Sequence, residues 1–183
     1  LILLGGDMNF EFSDEQLIMK EEVRKLLDKE NSVKRNRTIL EGEESFDKEL
    51  WDSLVSMGLT AITIPEEFGG IGMGYLELCV VAEELGRAIA PVPFSSSVYL
   101  ATTLILDHAN KDIKESYLPK LASGEVIGTL AHTEKSSHPT PDSIETTFDD
   151  GSITGNKAVV PDGDIANFSI VSAKNDSGIG LYL

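Results

Sequence analysis

From Phe10 to about residue 123 the apolar positions recur with a helical period, and after Gly124 the period shortens to that of strands. "FEFSDEQL" carries a helix start. Ser13 stands three residues before Gln16, the spacing of a capping box, and Phe12 is placed to staple against Leu17. Met19, Val23, Leu26 and Leu27 continue one face. A second helix is predicted from near Ser45, carrying Phe46, Leu50, Trp51, Leu54 and Val55 and stopping at Gly58. "LTAITIP" is short and β-branched, and is expected to be extended up to Pro65. The stretch after Gly74 and the stretch "SSSVYLATTLILDH" are apolar on nearly every side, which predicts helices buried all round. A last helix, about Lys111 to Ala122, places Ile113, Tyr117 and Leu121 on one face with a kink at Pro119.

Beyond Gly124, "EVIGTLAHTE", "SIETTFDDGSITGNKAVV" and "ANFSIVSAKNDSGIGLYL" are rich in Val, Ile and Thr, with Asp-Asp-Gly and Asn-Asp-Ser-Gly turns between them. The predicted fold class is α+β: an N-terminal all-α helical bundle followed by an incomplete antiparallel β-domain. The expected divisions are residues 8–123 for the helical domain and 124–183 for the start of the β-domain. Residues 1–7, ahead of Met8, are expected to be a non-native or upstream leader. "LILLGGD" has neither the basic start nor the cleavage site of a signal peptide.

Composition narrows the function classes. The 183 residues are 41% hydrophobic and 25% charged, a globular balance, and the net charge is −16. That charge argues against nucleic acid as a partner, because phosphate binding relies on clustered Lys and Arg. The basic residues between Lys20 and Arg37 are interleaved with Glu21, Glu22, Asp28 and Glu30, as on a solvated helix face. No apolar run approaches the length of a membrane span, so a soluble, cytoplasmic protein is expected. Cys79 is the single cysteine, which rules out a disulfide framework or thiolate metal centre, and its apolar surroundings predict burial.

Four stretches carry residue types of known chemistries, and their spacing decides among them. In "PEEFGGIGMGYLELCVVAEELG" the glycines at 70, 72 and 74 read G-x-G-x-G, and Tyr75 occupies the place a dinucleotide fingerprint needs for its third glycine. No Gly-Lys-Ser or Gly-Lys-Thr follows, so the run reads as a loop between helices and not as a phosphate cradle. His132 and Glu134 form H-x-E, the opening of a zinc deaminase pattern whose later cysteines are missing. His138 could pair with His132 on a metal, but it lies in a polar loop, so no metal is expected. Ser136, Ser137, His138 and Asp142 have the residue types of a hydrolytic triad without its G-x-S-x-G elbow. The loop carboxylates Glu66 and Glu67 read as solvated.

A longer pattern is more specific. "IPEEFGGIGMGYLELCVVAEELGRA", then "YLPKLASGEVIGTLAHTE", then "ITGNKAVVPDGDIANFSIVSA" resembles, in order and spacing, the flavin-dependent acyl-CoA dehydrogenases. The likeness runs from Phe10 to Leu183 and includes the T-E element at Thr133 and the later G-x-K, with Lys157 and, nine residues on, Ala166. It implies FAD as cofactor and an acyl-CoA thioester as substrate. In that family a carboxylate takes the α-proton while the β-hydrogen leaves as hydride to the flavin. Leu130, His132 and Thr133 map to the strand that serves the flavin pyrimidine, with the Thr133 hydroxyl as an added donor. Val159 and Pro161 map to the flavin face, where Val159, Val160 and Pro161 replace the family's Trp-Ile-Thr. Pro139 stands where a serine often meets the substrate.

The resemblance also implies that no residue of this chain is the catalytic base, which belongs to a C-terminal helical bundle. The "VPDG" version of the strand resembles a branch acting on steroid-side-chain or other bulky thioesters, often as hetero-oligomers. Homo- or hetero-oligomerisation is therefore expected, with an electron-transfer partner left open. The other reading is a non-catalytic assembly subunit or truncated relative that binds a partner chain and no flavin.

Overall fold

The computed structural model describes residues 11–135, 140 and 143–183. The helices are α1 (Asp14–Glu30), α2 (Val33–Glu41), α3 (Lys48–Ser56), α4 (Tyr75–Ala88), α5 (Thr103–His108) and α6 (Lys111–Ala122). Short 3-10 turns at Leu59–Ala61 and Glu66–Phe68 join α3 to α4, and a π-helix, Ser95–Thr102, runs directly into α5. The strands are β1 (Gly128–Ala131), β2 (Thr147–Asp149), β3 (Ser152–Thr154), β4 (Phe168–Asn175) and β5 (Gly178–Tyr182). Among the described residues no helix is long and apolar enough to cross a membrane.

Local chemistry sets the helix ends. The Ser13 hydroxyl accepts from the Gln16 amide at 3.2 Å, and the Gln16 side chain accepts from the Ser13 amide at 2.9 Å. That is the expected capping box. Two orphan donors of the first turn are thereby satisfied. The second predicted helix begins at an Asp47 cap and not near Ser45, because the buried Asp47 carboxylate accepts from the Leu50 amide at 3.0 Å. Ser32 caps α2, a separate helix inside the stretch read above as one solvated face. Gly58, at φ 76°, ends the α3 segment in the left-handed region as expected of a C-terminal glycine.

"LTAITIP" is not extended. Leu59–Ala61 forms a 3-10 turn, and Leu59, Ala61, Ile62 and Ile64 are all buried. A run apolar at nearly every position fits a buried turn as well as a strand, so periodicity alone could not separate them. Gly70 follows for a steric reason: a Cβ there would lie 1.9 Å from the Ile64 carbonyl oxygen. The glycine run is thus a folded-back loop between helices.

Nor is α4 buried all round. Leu78, Val80, Val81, Glu84 and Leu85 are buried, while Tyr75 and Leu76 are each 54% exposed and Cys79 is exposed, against the expectation for the thiol. The π-helix has a visible cause in its side chains. The Thr102 hydroxyl donates to the Ser97 carbonyl five residues back at 2.9 Å, matching the wider turn.

One core cluster joins Val23 and Leu27 of α1, Leu50, Trp51 and Leu54 of α3, and Leu78, Val81 and Leu85 of α4. A second joins Ile105 of α5 and Leu118 and Leu121 of α6 to Ile170 of β4. Burying one such side chain contributes about 1.5–3 kcal/mol. The sheet is therefore docked on the bundle through β1, which lies against the π-helix, and through Ile170 of β4. Gly128 marks the closest approach, since a Cβ there would meet Phe168 at 2.5 Å and Ala101 of the π-helix at 2.6 Å.

Helices followed by an unclosed sheet is the order the period change predicts. The pairing is mixed, however, and not wholly antiparallel. The hairpins β2–β3 and β4–β5 are antiparallel, but β1 runs parallel to β4, with Gly128 opposite Phe168 and Ala131 opposite Val171. β2 also joins β4 in parallel at Thr147 and Lys174. Both β1 and β2 lie on the edge of β4 opposite β5. The reason is the connection lengths: tight turns at Asp150-Gly151 and before Gly178 permit hairpins, whereas the long path from β1 to β4 permits a crossover.

Candidate functional site

The residues the family resemblance singles out on the first strand meet at the C-terminal end of β1. Leu130 is half-buried in β1 opposite Ile170. His132 and Thr133 continue past the strand end, both half-buried, and the Thr133 carbonyl accepts from the Ala158 amide at 2.8 Å. Segment 157–161 thus runs beside β1 without being a strand. At its far end the Thr129 hydroxyl donates to the Pro161 carbonyl. Val159 is 87% exposed at φ 51°, a left-handed conformation that is unusual for a β-branched residue. Pro161 is exposed and its carbonyl is already engaged. Pro139 lies outside the described residues, as do Ser136, Ser137, His138 and Asp142.

Beneath this strand end is a buried polar relay. Glu134 and Lys157 are 9% and 8% exposed and lie 2.8 Å apart. Glu134 also accepts from the Thr146 hydroxyl at 2.7 Å and from the amides of Glu145 at 2.7 Å and Thr146 at 3.0 Å. Burial pushes the Glu134 carboxyl upward. The hydrogen bonds from Lys157, from Thr146 and from the Glu145 amide outweigh it and hold the group well below the usual carboxylate range.

Lys157 spends its remaining donors on the Ser172 hydroxyl at 3.1 Å and the His132 carbonyl at 3.3 Å. Ser172, 1% exposed on β4, lies 3.0 Å from Nδ1 of His132. One ion pair therefore ties together β1, β4, the approach to β2 and segment 157–161. A buried charge pair with every donor used is stable; losing one partner strands the other.

A cavity of about 640 Å³ opens beside this relay, between α5, α6 and the face of β4 and β5. Ile105, Ile113, Ile170 and Leu181 form apolar wall, and His132 and Ser172 are its polar side chains nearest the relay. Sequence reasoning reached Thr133, Glu134 and Lys157 as motif positions but did not pair the last two. The available signal was an acidic residue just past β1 and a basic residue just ahead of Ala158-Val159-Val160, with no spacing rule to join them.

Comparison with known proteins identifies the family and the fold. Residues 13–125 match the family model described as acyl-CoA dehydrogenase, N-terminal domain. The chain is 38% identical over 144 residues to the mitochondrial 2-methylacyl-CoA dehydrogenase of Solanum tuberosum, covering 74% of this chain and 35% of that protein. It is 34% identical over 170 residues to the mitochondrial isovaleryl-CoA dehydrogenase of Pongo abelii, covering 90% of this chain and 40% of that one. Among solved structures, the ChsE4-ChsE5 complex from Mycobacterium tuberculosis superposes with a TM-score of 0.85 at 26% identity, over 96% of this chain and 48% of that chain. The chain spans well under half the length of the two curated relatives.

Proposed function

The chain belongs to the acyl-CoA dehydrogenase family, and on that premise we propose that it is the N-terminal portion of an FAD-dependent enzyme that oxidises an acyl-CoA thioester to its trans-2-enoyl form. In this reading residues 8–123 are the helical domain and 124–183 begin the β-domain. The observation that carries it is the braced end of β1, where half-buried His132 lines a largely apolar cavity and half-buried Thr133 follows it.

The donor set fits the pyrimidine end of a flavin: a threonine hydroxyl and strand-end backbone at Leu130, His132 and Thr133, held by the Lys157–Glu134 pair beneath. Segment 159–161 fits less fully. Val159 and Pro161 offer apolar cover but neither a hydroxyl nor an aromatic ring. When bound, FAD supplies a hydride acceptor for the substrate's β-hydrogen. The protein's part is to exclude water, to hold donors where negative charge builds, and to keep 157–161 registered against β1. Pro139 is assigned to the substrate side. The base that takes the α-proton is supplied from outside these residues, and the working enzyme is a homo- or hetero-oligomer handing electrons to a partner.

The test is Thr133→Val in the whole protein. Loss of one charge-assisted hydrogen bond is expected to weaken flavin retention or slow its reduction by about 1.5–3 kcal/mol. Unchanged retention and reduction would make Thr133 an ordinary strand residue. The exposure of Val159 favours a second reading, an assembly subunit that binds a partner chain and no flavin. A whole protein that purifies without the visible flavin band, and takes up none from added FAD, would decide for it.

A further inference from the structure

His132 has two parts with different tasks. Its backbone belongs to the strand end discussed above, and its ring contacts Ser172, a residue that lines the cavity with it. The ring's hydrogen bonding follows from the relay behind it. Lys157 can only donate, so Ser172 Oγ accepts from it and turns its own proton elsewhere. The nearer acceptor is His132 Nδ1 at 3.0 Å, the other being the His132 carbonyl at 3.5 Å. In the neutral ring, an accepting Nδ1 leaves the proton on Nε2. Among the described residues no hydrogen bond engages Nε2. An N–H donor is thus placed at a cavity whose wall is apolar at Ile105, Ile113, Ile170 and Leu181 and polar at His108, Asn110 and Ser172. A hydrocarbon laid over that donor would leave it desolvated and unpaired, whereas an oxygen would satisfy it.

We propose that His132 sets substrate specificity: its Nε2–H, oriented by Ser172, Lys157 and Glu134, donates to a hydroxyl or keto oxygen on the acyl group, so the substrate class is an oxygenated acyl thioester. This rests on the thioester reading above and narrows it. A site built to hydrogen-bond an oxygen discriminates against the analogue lacking it far more than an apolar pocket discriminates against an added hydroxyl.

The experiment uses the whole protein with a saturated acyl-CoA and a matched series carrying a hydroxyl or keto group at successive chain positions. Binding is measured by calorimetry and turnover with a dye acceptor. At one position the oxygenated thioester should bind about tenfold or more tighter than the plain one, the value of one well-placed hydrogen bond. His132→Leu should collapse that ratio to about one, and His132→Gln, which keeps a donor, should retain part of it. A ratio near one in the unmodified protein, with the plain thioester bound and oxidised, overturns the specificity role and leaves the dehydrogenase reading intact. A ratio unchanged by His132→Leu also overturns it. Failure of every thioester to bind overturns both readings.

Discussion

Each half of the molecule buries a carboxylate, and the two are held differently. In the helical half Glu84 of α4 is fully buried and accepts from Arg24 of α1 at 2.6 and 2.9 Å and from Arg87 at 2.7 Å. Both guanidinium side chains remain more than 40% exposed, so they reach in from the surface. In the sheet half Glu134 is held by a lysine that is itself buried and by hydroxyl and amide donors. The first is a strap between two helices whose arginines can return to solvent. In the second the cation itself is largely out of solvent, and the relay ends at His132, which lines a cavity. Burial of a charge does not by itself identify a working site; what the charge's partners lead to does.

The largest effect should come from breaking the Glu134–Lys157 pair. Glu134→Gln leaves the Lys157 ammonium buried without its counter-charge, and should cost about 3–5 kcal/mol in denaturant unfolding. Adding Lys157→Met to that variant should recover much of the loss. A single-variant cost under about 1 kcal/mol would show that water reaches Lys157.

Glu84→Gln should cost less, about 1–3 kcal/mol, because Arg24 and Arg87 can turn to solvent when their acceptor weakens. Acid sharpens this contrast. Hydrogen bonding from Arg24, working against burial, lowers the Glu84 carboxyl to about 2 from its ordinary 4.5. Its folded value is depressed, so its stabilisation is complete above about 4.5 and is lost as pH falls towards about 2. Circular dichroism through that window should show a shallower acid loss of helix in Glu84→Gln than in the parent. Equal slopes would remove Glu84 from the acid response.

The smallest effect is a gain. Ile89 ends α4 at φ 50° and is 77% exposed, so a β-branched residue stands where glycine is favoured. Ile89→Gly should raise stability by about 0.5–1 kcal/mol, read as a small rise in Tm. A loss would mean that the Ile89 side chain, despite its exposure, packs in the unmodified protein.

Much of the helical half was legible because its signals are local. Ser13 and Gln16 sit three apart, and Gly58 lies directly after its helix. The parts that were not legible depend on distant residues. Arg24 and Glu84 are sixty positions apart, and nothing in either neighbourhood points to the other. The 3-10 turn at Leu59–Ala61 is buried at every position, Thr60 included, which erased the period that would have separated turn from strand. Cys79 has apolar neighbours but faces outward on α4, so its local sequence misstated its burial. At the candidate site, Thr133, Glu134 and Lys157 could be found by resemblance. Their hydrogen bonds to Ser172 and Thr146 needed the parallel pairing of β1 with β4, which no hairpin signal announces.

That pairing bears on the order in which the protein is made. β1 has no lasting partner until β4 has been synthesised, because Gly128 pairs with Phe168 forty residues later. α1, α3 and α4, whose shared cluster draws mostly on residues before Phe94, can assemble while the ribosome is still adding the sheet. β1 must wait as an unpaired apolar strand, and Lys157 must arrive before Glu134 has its counter-ion. Slow elongation between Gly128 and Phe168 would lengthen the exposure of that strand, which makes this stretch the one where a chaperone has most to shield.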